Sequence, residues 1–485
     1  MKIKKSNIFK LLLASFLAVS FSSCNDWLDV QPKSQIFTDL HFDRESGYRD
    51  QLTGIYTKMA GTNLYGGEMT MGLVDVLAQN YDLGSDNNYR YLVSYDYGQS
   101  SYSKPKIDAM WTGAYNCIAN CNVLLQYIDK ADSTMFTDNN YYLCKGEALG
   151  LRGFLHLDLM RLFAKSPTSN PNAMGIPYVT EYSTSVTPQK SVKETMQFII
   201  NDLKESVKLL KYDSIFASSK PYSFRSSRRC YFDYYAATVT LARAYMWEDQ
   251  QDSAYIYCKE IMDNAESSEN SLPFSFTHRT AIETNHDYEC DRTFSTEHLF
   301  QLSLNTMADI VDARFNSNAG KNALYPSTTK TDEIYEVTSK GYGIDYRYMK
   351  HYAFDGETKY LSKFWQYDDG TYNKMFPLIR MTEAYYMAAE IQKNKGNLKD
   401  AVDILNTVRS HRNLTLYPLS EDLTAEEIQE EIFKEYRKEF VGEGQLFFYY
   451  KRLNLTTIKG AGVTANDNIY VLPMPDNEIE FGNRN

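Results

Sequence analysis

Several long stretches of the chain place apolar residues at helical spacing, and they set the expected architecture. From Ile107 onward, Met110, Ala114, Cys117, Ile118, Cys121, Leu125 and Ile128 fall on one face of a single long helix. A second helix is predicted from Tyr141 to Phe163, with Leu151, Leu155, Leu159 and Leu162 along one side and Ser166-Pro167 closing it. Ser191 with Glu194 forms a capping-box pattern that opens a third, Ser191–Leu210. An earlier helix, Ser46–Met59, ends near Gly61, and a late one runs from Thr424-Ala425-Glu426-Glu427 to near Phe440.

Two further stretches resemble each other. Phe232–Asp249 carries Tyr234, Ala237, Thr238, Leu241 and Tyr245 on one face, and its partner carries Ala254, Tyr257, Cys258 and Ile261. Pro377–Lys393 carries Leu378, Met381, Thr382, Tyr385, Ala388 and Ala389, and after Gly396 its partner carries Leu398, Ala401, Val402, Leu405 and Val408. Each pair occupies about 34 residues, the tetratricopeptide length, with alanines where helices must approach closely. The expected fold is therefore mainly α, a scaffold of helix pairs over 38–270 and 373–453, the pairs scattered along the chain rather than tandem.

The pattern breaks down elsewhere. Leu64–Ser103 mixes glycines with Asp82, Asp86, Asn87, Asn88 and many tyrosines, and reads as mostly loop. Residues 271–372 lose the helical period apart from short apolar runs such as His298–Leu304, an irregular insertion of about 100 residues, and loops of that length are usually functional. The C-terminal segment 454–485 is expected to be extended through Val471-Leu472-Pro473-Met474-Pro475. No Pro/Gly/Ser-rich linker divides residues 38–485, which points to a single unit.

The N-terminus has a different pattern. Lys2, Lys4, Lys5 and Lys10 precede the apolar run Ile8–Phe21, and Phe21-Ser22-Ser23 leads into Cys24. The run is too short for a membrane span, which needs about 20 apolar residues. It reads as an export signal over 1–23 that ends at a lipidation cysteine, Cys24, whose several acyl chains would anchor the protein stably. An ordinary signal peptide cut near Ser20–Ser22 is the alternative. Asn25–Phe37, with Pro32, then forms a flexible tether over 24–37.

Charge and cysteine content narrow the partners. The formal net charge is −11, and the leader contributes only lysines, so the exported part is more acidic still and argues against nucleic acid as a partner. Cys117 and Cys121 share an apolar helical stripe with spacing that suits a disulfide poorly, and the pairing of Cys144, Cys230, Cys258 and Cys290 is not deducible. There is no G-x-S-x-G elbow, H-E-x-x-H, phosphate loop or dinucleotide fingerprint. The seven histidines, His41, His156, His278, His286, His298, His351 and His411, have no shared ligand spacing. Nothing in the pattern indicates an enzyme, a cofactor or a metal.

The aromatic content is lopsided, with Tyr 40 against Phe 25 and Trp 4. Tyrosine has a flat apolar face and a polar edge, so it can sit half exposed against sugar rings or peptide side chains, although most copies belong to the core boundary. Two clusters are candidate ligand contacts: Asn87, Tyr89, Arg90 and Tyr91 in the first loop, and Tyr342, Tyr346 and Trp365 in the insertion. Each mixes aromatic faces with amide or guanidinium donors that can recognise hydroxyls or peptide backbone.

Several motifs together resemble the SusD/RagB family of outer-membrane nutrient-binding lipoproteins. They begin at Cys24-Asn25-Asp26-Trp27-Leu28-Asp29 and continue through Trp111, Tyr115, Ile118, Asn122 and Glu147-Ala148-Leu149-Gly150-Leu151-Arg152-Gly153-Phe154. Asp345-Tyr346-Arg347, Pro377-Leu378-Ile379-Arg380-Met381-Thr382-Glu383-Ala384-Tyr385 with Glu390, Leu405-Asn406-Thr407-Val408-Arg409 and Glu435-Tyr436-Arg437-Lys438-Glu439 to Gln445 complete them in order. Leu446 and Tyr449 depart from the family, which commonly has arginine and aspartate there. Arg152, Arg380, Glu383 and Arg437 are expected to be ion partners between packed helices. The resemblance implies a lid on a SusC-like TonB-dependent β-barrel transporter, anchored by lipid in the outer membrane and facing the exterior, that captures an oligosaccharide or a peptide. A lipid-anchored hydrolase and a purely structural scaffold are the readings from other classes.

Overall fold

The computed structural model describes residues 39–99, 101–212, 228–265 and 274–484. The segments expected to be an export signal and a tether, with Cys24 between them, lie outside these residues, as do residues 271–273 of the insertion. Backbone contacts divide the chain into residues 1–48 and 49–485. In the first unit the rings of Phe42 and Tyr48 pack with centroids 4.8 Å apart.

The molecule is mainly helical, and the helices form where the apolar period placed them. They are α1 (Glu45–Met59), α2 (Ser103–Ile128), α3 (Asn140–Phe163), α4 (Val192–Leu210), α5 (Tyr234–Trp247) and α6 (Gln251–Ala265). In the second half come α7 (Met381–Asn394), α8 (Leu398–Ser410), α9 (Ala425–Glu439) and α10 (Gln445–Arg452). The predicted capping box forms, and α9 opens on a second. Ser191 Oγ accepts from the Glu194 amide while Glu194 accepts from that of Ser191, and Thr424 and Glu427 do the same for α9.

Helices that are scattered along the chain come together in one stack. Successive helices pack in series, α2 on α3, α3 on α4, α4 on α5 and α5 on α6, and α6 then packs on α7 across the whole intervening insertion. The two similar helix pairs are thus neighbours in space, because the apolar face of α6 carrying Ala254, Cys258 and Ile261 needs a cover. Close approach of α3 and α4 depends on small residues: a Cβ on Gly150 would overlap the Phe232 ring and Ser206 Oγ. Cys117 and Cys121 are buried in α2 as thiols outside any disulfide.

The insertion rejoins the stack through a strand pair. Whereas β1 (Met174–Pro177) and β2 (Gln189–Ser191) pair antiparallel just before α4, β3 (His298–Ser303) runs antiparallel to β6 (Met375–Arg380), with His298 opposite Arg380 and Ser303 opposite Met375. β6 leads directly into α7, so the helix expected from Pro377 begins at Met381 instead. Pro377 breaks the helical ladder and the continuous apolar run suits a strand buried on both sides. Within the insertion, β4 (Tyr352–Asp355) and β5 (Thr358–Leu361) form a hairpin, and short helices occupy Thr328–Ile334 and Tyr346–His351. The C-terminal segment likewise includes short helices, Asp467–Tyr470 and Asp476–Phe481, on either side of the predicted extended residues.

The first half of the expected loop is core. Every residue from 64 to 80 is buried, including Glu68 and Asp75, and α10 packs against the short helix Leu73–Leu77. Its buried carboxylates are satisfied by both near and distant groups: Glu68 accepts from the Leu73 amide at 2.9 Å, and Asp75 accepts from Tyr81 OH at 2.6 Å and the Gly444 amide at 3.2 Å. Leu446 and Tyr449, the departures from the motif, are both buried in α10, where Tyr449 packs on Tyr436 at 4.8 Å.

A buried ion network joins insertion and stack. Arg347 binds Asp345 at 2.7 Å, Glu435 at 2.7 Å and Glu439 at 3.0 Å, and Arg412 is bidentate on Glu297 at 2.8 and 2.6 Å. Arg380 and Arg412 also reach Glu439. Burial alone would raise the Glu439 carboxyl, but Arg412, Arg380 and Arg347 hold it well below the usual range. Arg152 pairs with Asp202, Glu383 with Arg243, and Arg437 donates to Asn80 while facing Glu333.

Candidate functional site

The first loop cluster and Trp365 meet on one short segment of the insertion. Asn87 Nδ2 donates to Ala323 O at 2.7 Å, the Asn88 amide to Lys321 O at 2.8 Å, and Asn88 Nδ2 to Asn322 Oδ1 at 2.8 Å. From the other side, Trp365 packs on Ala319, Ala323 and Tyr360 beside Tyr325, and its Nε1 donates to Phe315 O at 2.8 Å. Asp82 completes the junction by accepting from the Ser327 amide at 2.8 Å and pairing with Lys330 at 2.6 Å.

Within this junction the side chains divide by role. Asn87 and Tyr89 point inward. Asn87 Oδ1 accepts from the Tyr89 amide at 2.8 Å, an Asx turn that shapes the loop, and Tyr89 OH donates to buried Glu68 at 3.1 Å. Glu68 is the base of the junction, since Lys106 and Arg314, at 2.5 and 3.1 Å, bind the same carboxylate. Burial works to raise its pKa, and Arg314 and Lys106 outweigh that and lower it. Arg90 and Tyr91 are half-buried and point to the surface. The guanidinium lies over the Tyr91 ring at 4.1 Å and donates to Asn87 O at 2.8 Å and Tyr91 OH at 2.6 Å.

Tyr102, Asn322 and Tyr325, half-buried in the same junction, and Tyr288, Tyr367 and Tyr372, which line a recess with Trp365 and Arg292, were not singled out by the sequence pattern. The density of tyrosines was a signal, but which face each takes depends on contacts between segments more than two hundred residues apart.

Tyr342 and Tyr346 lie elsewhere. Tyr342 is buried beneath Arg409, 5.0 Å from its ring, and edge-on to Tyr417. Tyr346 packs with Ile282 and Phe294, and its hydroxyl binds Glu283. The arrangement at the junction can stack an apolar ring face on Tyr91 or Trp365 and offer guanidinium and amide donors to hydroxyls at its edge.

Among the described residues no helix is long and apolar enough to cross a membrane, and no group of three or more His, Cys, Asp and Glu is arranged to hold a metal ion.

Comparison with known proteins agrees with this architecture over nearly the whole chain. Residues 26–246 match a family described as starch-binding and associating with the outer membrane, and residues 246–481 match the SusD family. A SusD-like protein of Formosa agariphila is 21% identical, over 90% of this chain and 88% of that one. Among solved structures, a putative sugar-binding protein from Bacteroides vulgatus is 23% identical with a TM-score of 0.69, covering 91% of this chain and 98% of its own. Surface glycan-binding protein A from Bacteroides uniformis is 20% identical with a TM-score of 0.67, covering 90% and 97%. With two consecutive matches that span the stack, the insertion and the buried Arg–Glu motifs, the chain belongs to the SusD/RagB family.

Proposed function

We propose that this protein is a non-enzymatic, lipid-anchored surface protein that captures a neutral oligosaccharide and, as a lid, delivers it to a SusC-like TonB-dependent β-barrel transporter in the outer membrane. The observation that carries the capture step is the half-buried Arg90–Tyr91 pair, held by the junction between residues 82–102 and 317–330 and next to the segment that seats Trp365. Rings fixed at half exposure lose little freedom on binding, and a stacked guanidinium keeps donors at the ring edge, where sugar hydroxyls would lie. Relatives named as sugar- and glycan-binding support the same cargo class. Anchoring through Cys24 supports the lid role, because a tethered lid must stay at its barrel while it moves.

Titration calorimetry of the protein without its leader against malto-oligosaccharides, other neutral glycans and a peptide panel tests the cargo. Saturable binding to a glycan that is weakened about tenfold in Arg90→Ala and in Tyr91→Ala is expected. Binding to peptides alone would replace the cargo and leave the lid role standing. Sustained turnover of a panel substrate, abolished by one Asp or Glu substitution, would overturn the non-enzymatic reading. Co-purification of the lipidated protein with a β-barrel partner from outer membranes tests delivery.

A further inference from the structure

A recess in the helix stack shares no lining residue with the loop junction. It is bounded by α1, by the segment that precedes α5 and by the end of β3, with Thr53, Thr57, Tyr231, Asn305 and Thr306 in its wall. Its volume is about 410 Å³, against about 20 Å³ for the recess beside Trp365, so it is of small-molecule size where the other holds little more than a water.

The wall carries no charge. It includes no Asp, Glu, Lys, Arg or His. The buried ions behind its two tyrosines neutralise each other: Tyr56 OH donates to Glu147 at 2.7 Å, Arg228 lies 5.3 Å from the Tyr231 ring, and Arg228 and Glu147 pair at 2.5 Å. An ion in the recess would lose hydration and find no counter-charge.

The wall offers hydrogen bonding of both signs beside aromatic surface. Thr53 and Thr57, one turn apart on α1, donate their hydroxyl protons to the carbonyls of Arg49 and Thr53, at 2.9 and 2.8 Å, which leaves their oxygens as acceptors. Ser303, Asn305 and Thr306 are exposed, and their side chains make no hydrogen bond among the described residues, so an amide and two hydroxyls can both donate and accept. Tyr56 and half-buried Tyr231 meet edge to face at 5.5 Å. The Tyr56 hydroxyl is already used, donating to Glu147 and accepting from the Phe232 amide at 2.8 Å, so that residue has only its ring to offer.

A sugar ring has apolar C–H faces and, at its edge, hydroxyls that each donate and accept, and it carries no charge. From this match we propose that the recess is a second binding site, for a mono- or disaccharide end of a neutral glycan, separate from the Arg90–Tyr91 junction. The choice of a sugar rests on the glycan reading of the cargo; the site itself does not depend on the junction.

Cys230 reports its occupancy. It lines the recess half-buried, whereas the other described cysteines are buried. Alkylation by iodoacetamide is followed by mass spectrometry of the Cys230 peptide in the protein without its leader, with maltose, cellobiose, xylobiose and lactose as probes. At least one should slow the reaction saturably, by about tenfold at about ten times its dissociation constant, and sodium gluconate should not. Replacing both junction residues, Arg90→Ala with Tyr91→Ala, should leave this protection intact, whereas Asn305→Ala, at an exposed side chain, should require about tenfold more sugar. Unchanged alkylation with every probe overturns the second site, and a glycan still seen by calorimetry would then leave the capture reading standing. Protection lost in the junction variant, or given by the peptide panel alone, overturns it as well. Protection of Cys230 with calorimetry indifferent to Arg90→Ala and Tyr91→Ala keeps the recess and removes the junction from capture.

Discussion

Two arginine–tyrosine pairs in this molecule have similar ring geometry and different surroundings. Arg90 lies 4.1 Å over Tyr91, and Arg409 lies 5.0 Å over Tyr342. Arg409 also pairs with Glu435 at 2.9 Å and donates to Tyr417 O at 2.9 Å, and both members of its pair are buried. Arg90 makes no ion pair among the described residues, and it and Tyr91 remain half-buried at the surface. A guanidinium committed to a buried carboxylate is part of the scaffold, whereas one committed only to carbonyl and phenol oxygens keeps donors for a ligand. The aromatic contact is common to both sites. The carboxylate is what differs.

The largest expected effect breaks the scaffold side. Glu439→Gln removes the charge shared by Arg347, Arg380 and Arg412, and leaving buried charges uncompensated should cost about 3–5 kcal/mol, read by chemical denaturation. Tyr342→Ala should follow at about 3 kcal/mol through loss of a buried ring, with glycan affinity of the folded protein unchanged in calorimetry. Tyr91→Ala should do the reverse, weakening glycan binding about tenfold, or ~1.4 kcal/mol, with little change in melting temperature. If Tyr342→Ala abolished binding without destabilising the fold, the assignment of the two pairs would be inverted.

The smallest effect depends on pH. Burial lowers His156 to about 3, and its neutral ring donates from Nδ1 to Arg152 O and accepts at Nε2 from the Val179 amide. The unfolded chain protonates first, near 6.5, so this group's stabilisation is present above that pH and is lost progressively as pH falls toward 3. Asp75 and Asp291, both pushed up to about 6 by burial, act with the opposite sign over an overlapping window. The measurement is therefore a difference: between pH 7 and 5.5, His156→Gln should lose about 1 kcal/mol less stability than wild type.

Helix positions were legible because each apolar face repeats many times within one segment, and capping residues such as Ser191 and Thr424 mark their own boundaries. Two elements were not. Residues 64–80 look polar and glycine-rich, yet Glu68 and Asp75 are buried because Lys106, Arg314 and Tyr81, from other positions, satisfy them. β6 was obscured because a short apolar run adjoining a helix has no period of its own. At the candidate site the residue types were visible and their facing was not. Asn87, Tyr89, Arg90 and Tyr91 are near neighbours in sequence, and only the contact with residues 321–323 decides that the first two turn inward and the last two outward.

The strand pair at the base of the insertion has a consequence for how such proteins can diversify. Because His298 and Arg380 lie opposite each other, the chain leaves the helix stack and returns to it about one strand width apart, whatever lies between. Residues distal to Ser303 and Met375 can therefore change in length and sequence with the helix spacing held at the strand pair, provided the contacts that cross to the rest of the fold are kept: Arg347 to Glu435 and Glu439 of α9, Arg314 to Glu68, and Ala323 O to Asn87. The molecule is in effect a socket with an exchangeable head, and a head transplanted between two such sockets at these two residues should carry part of its cargo preference with it.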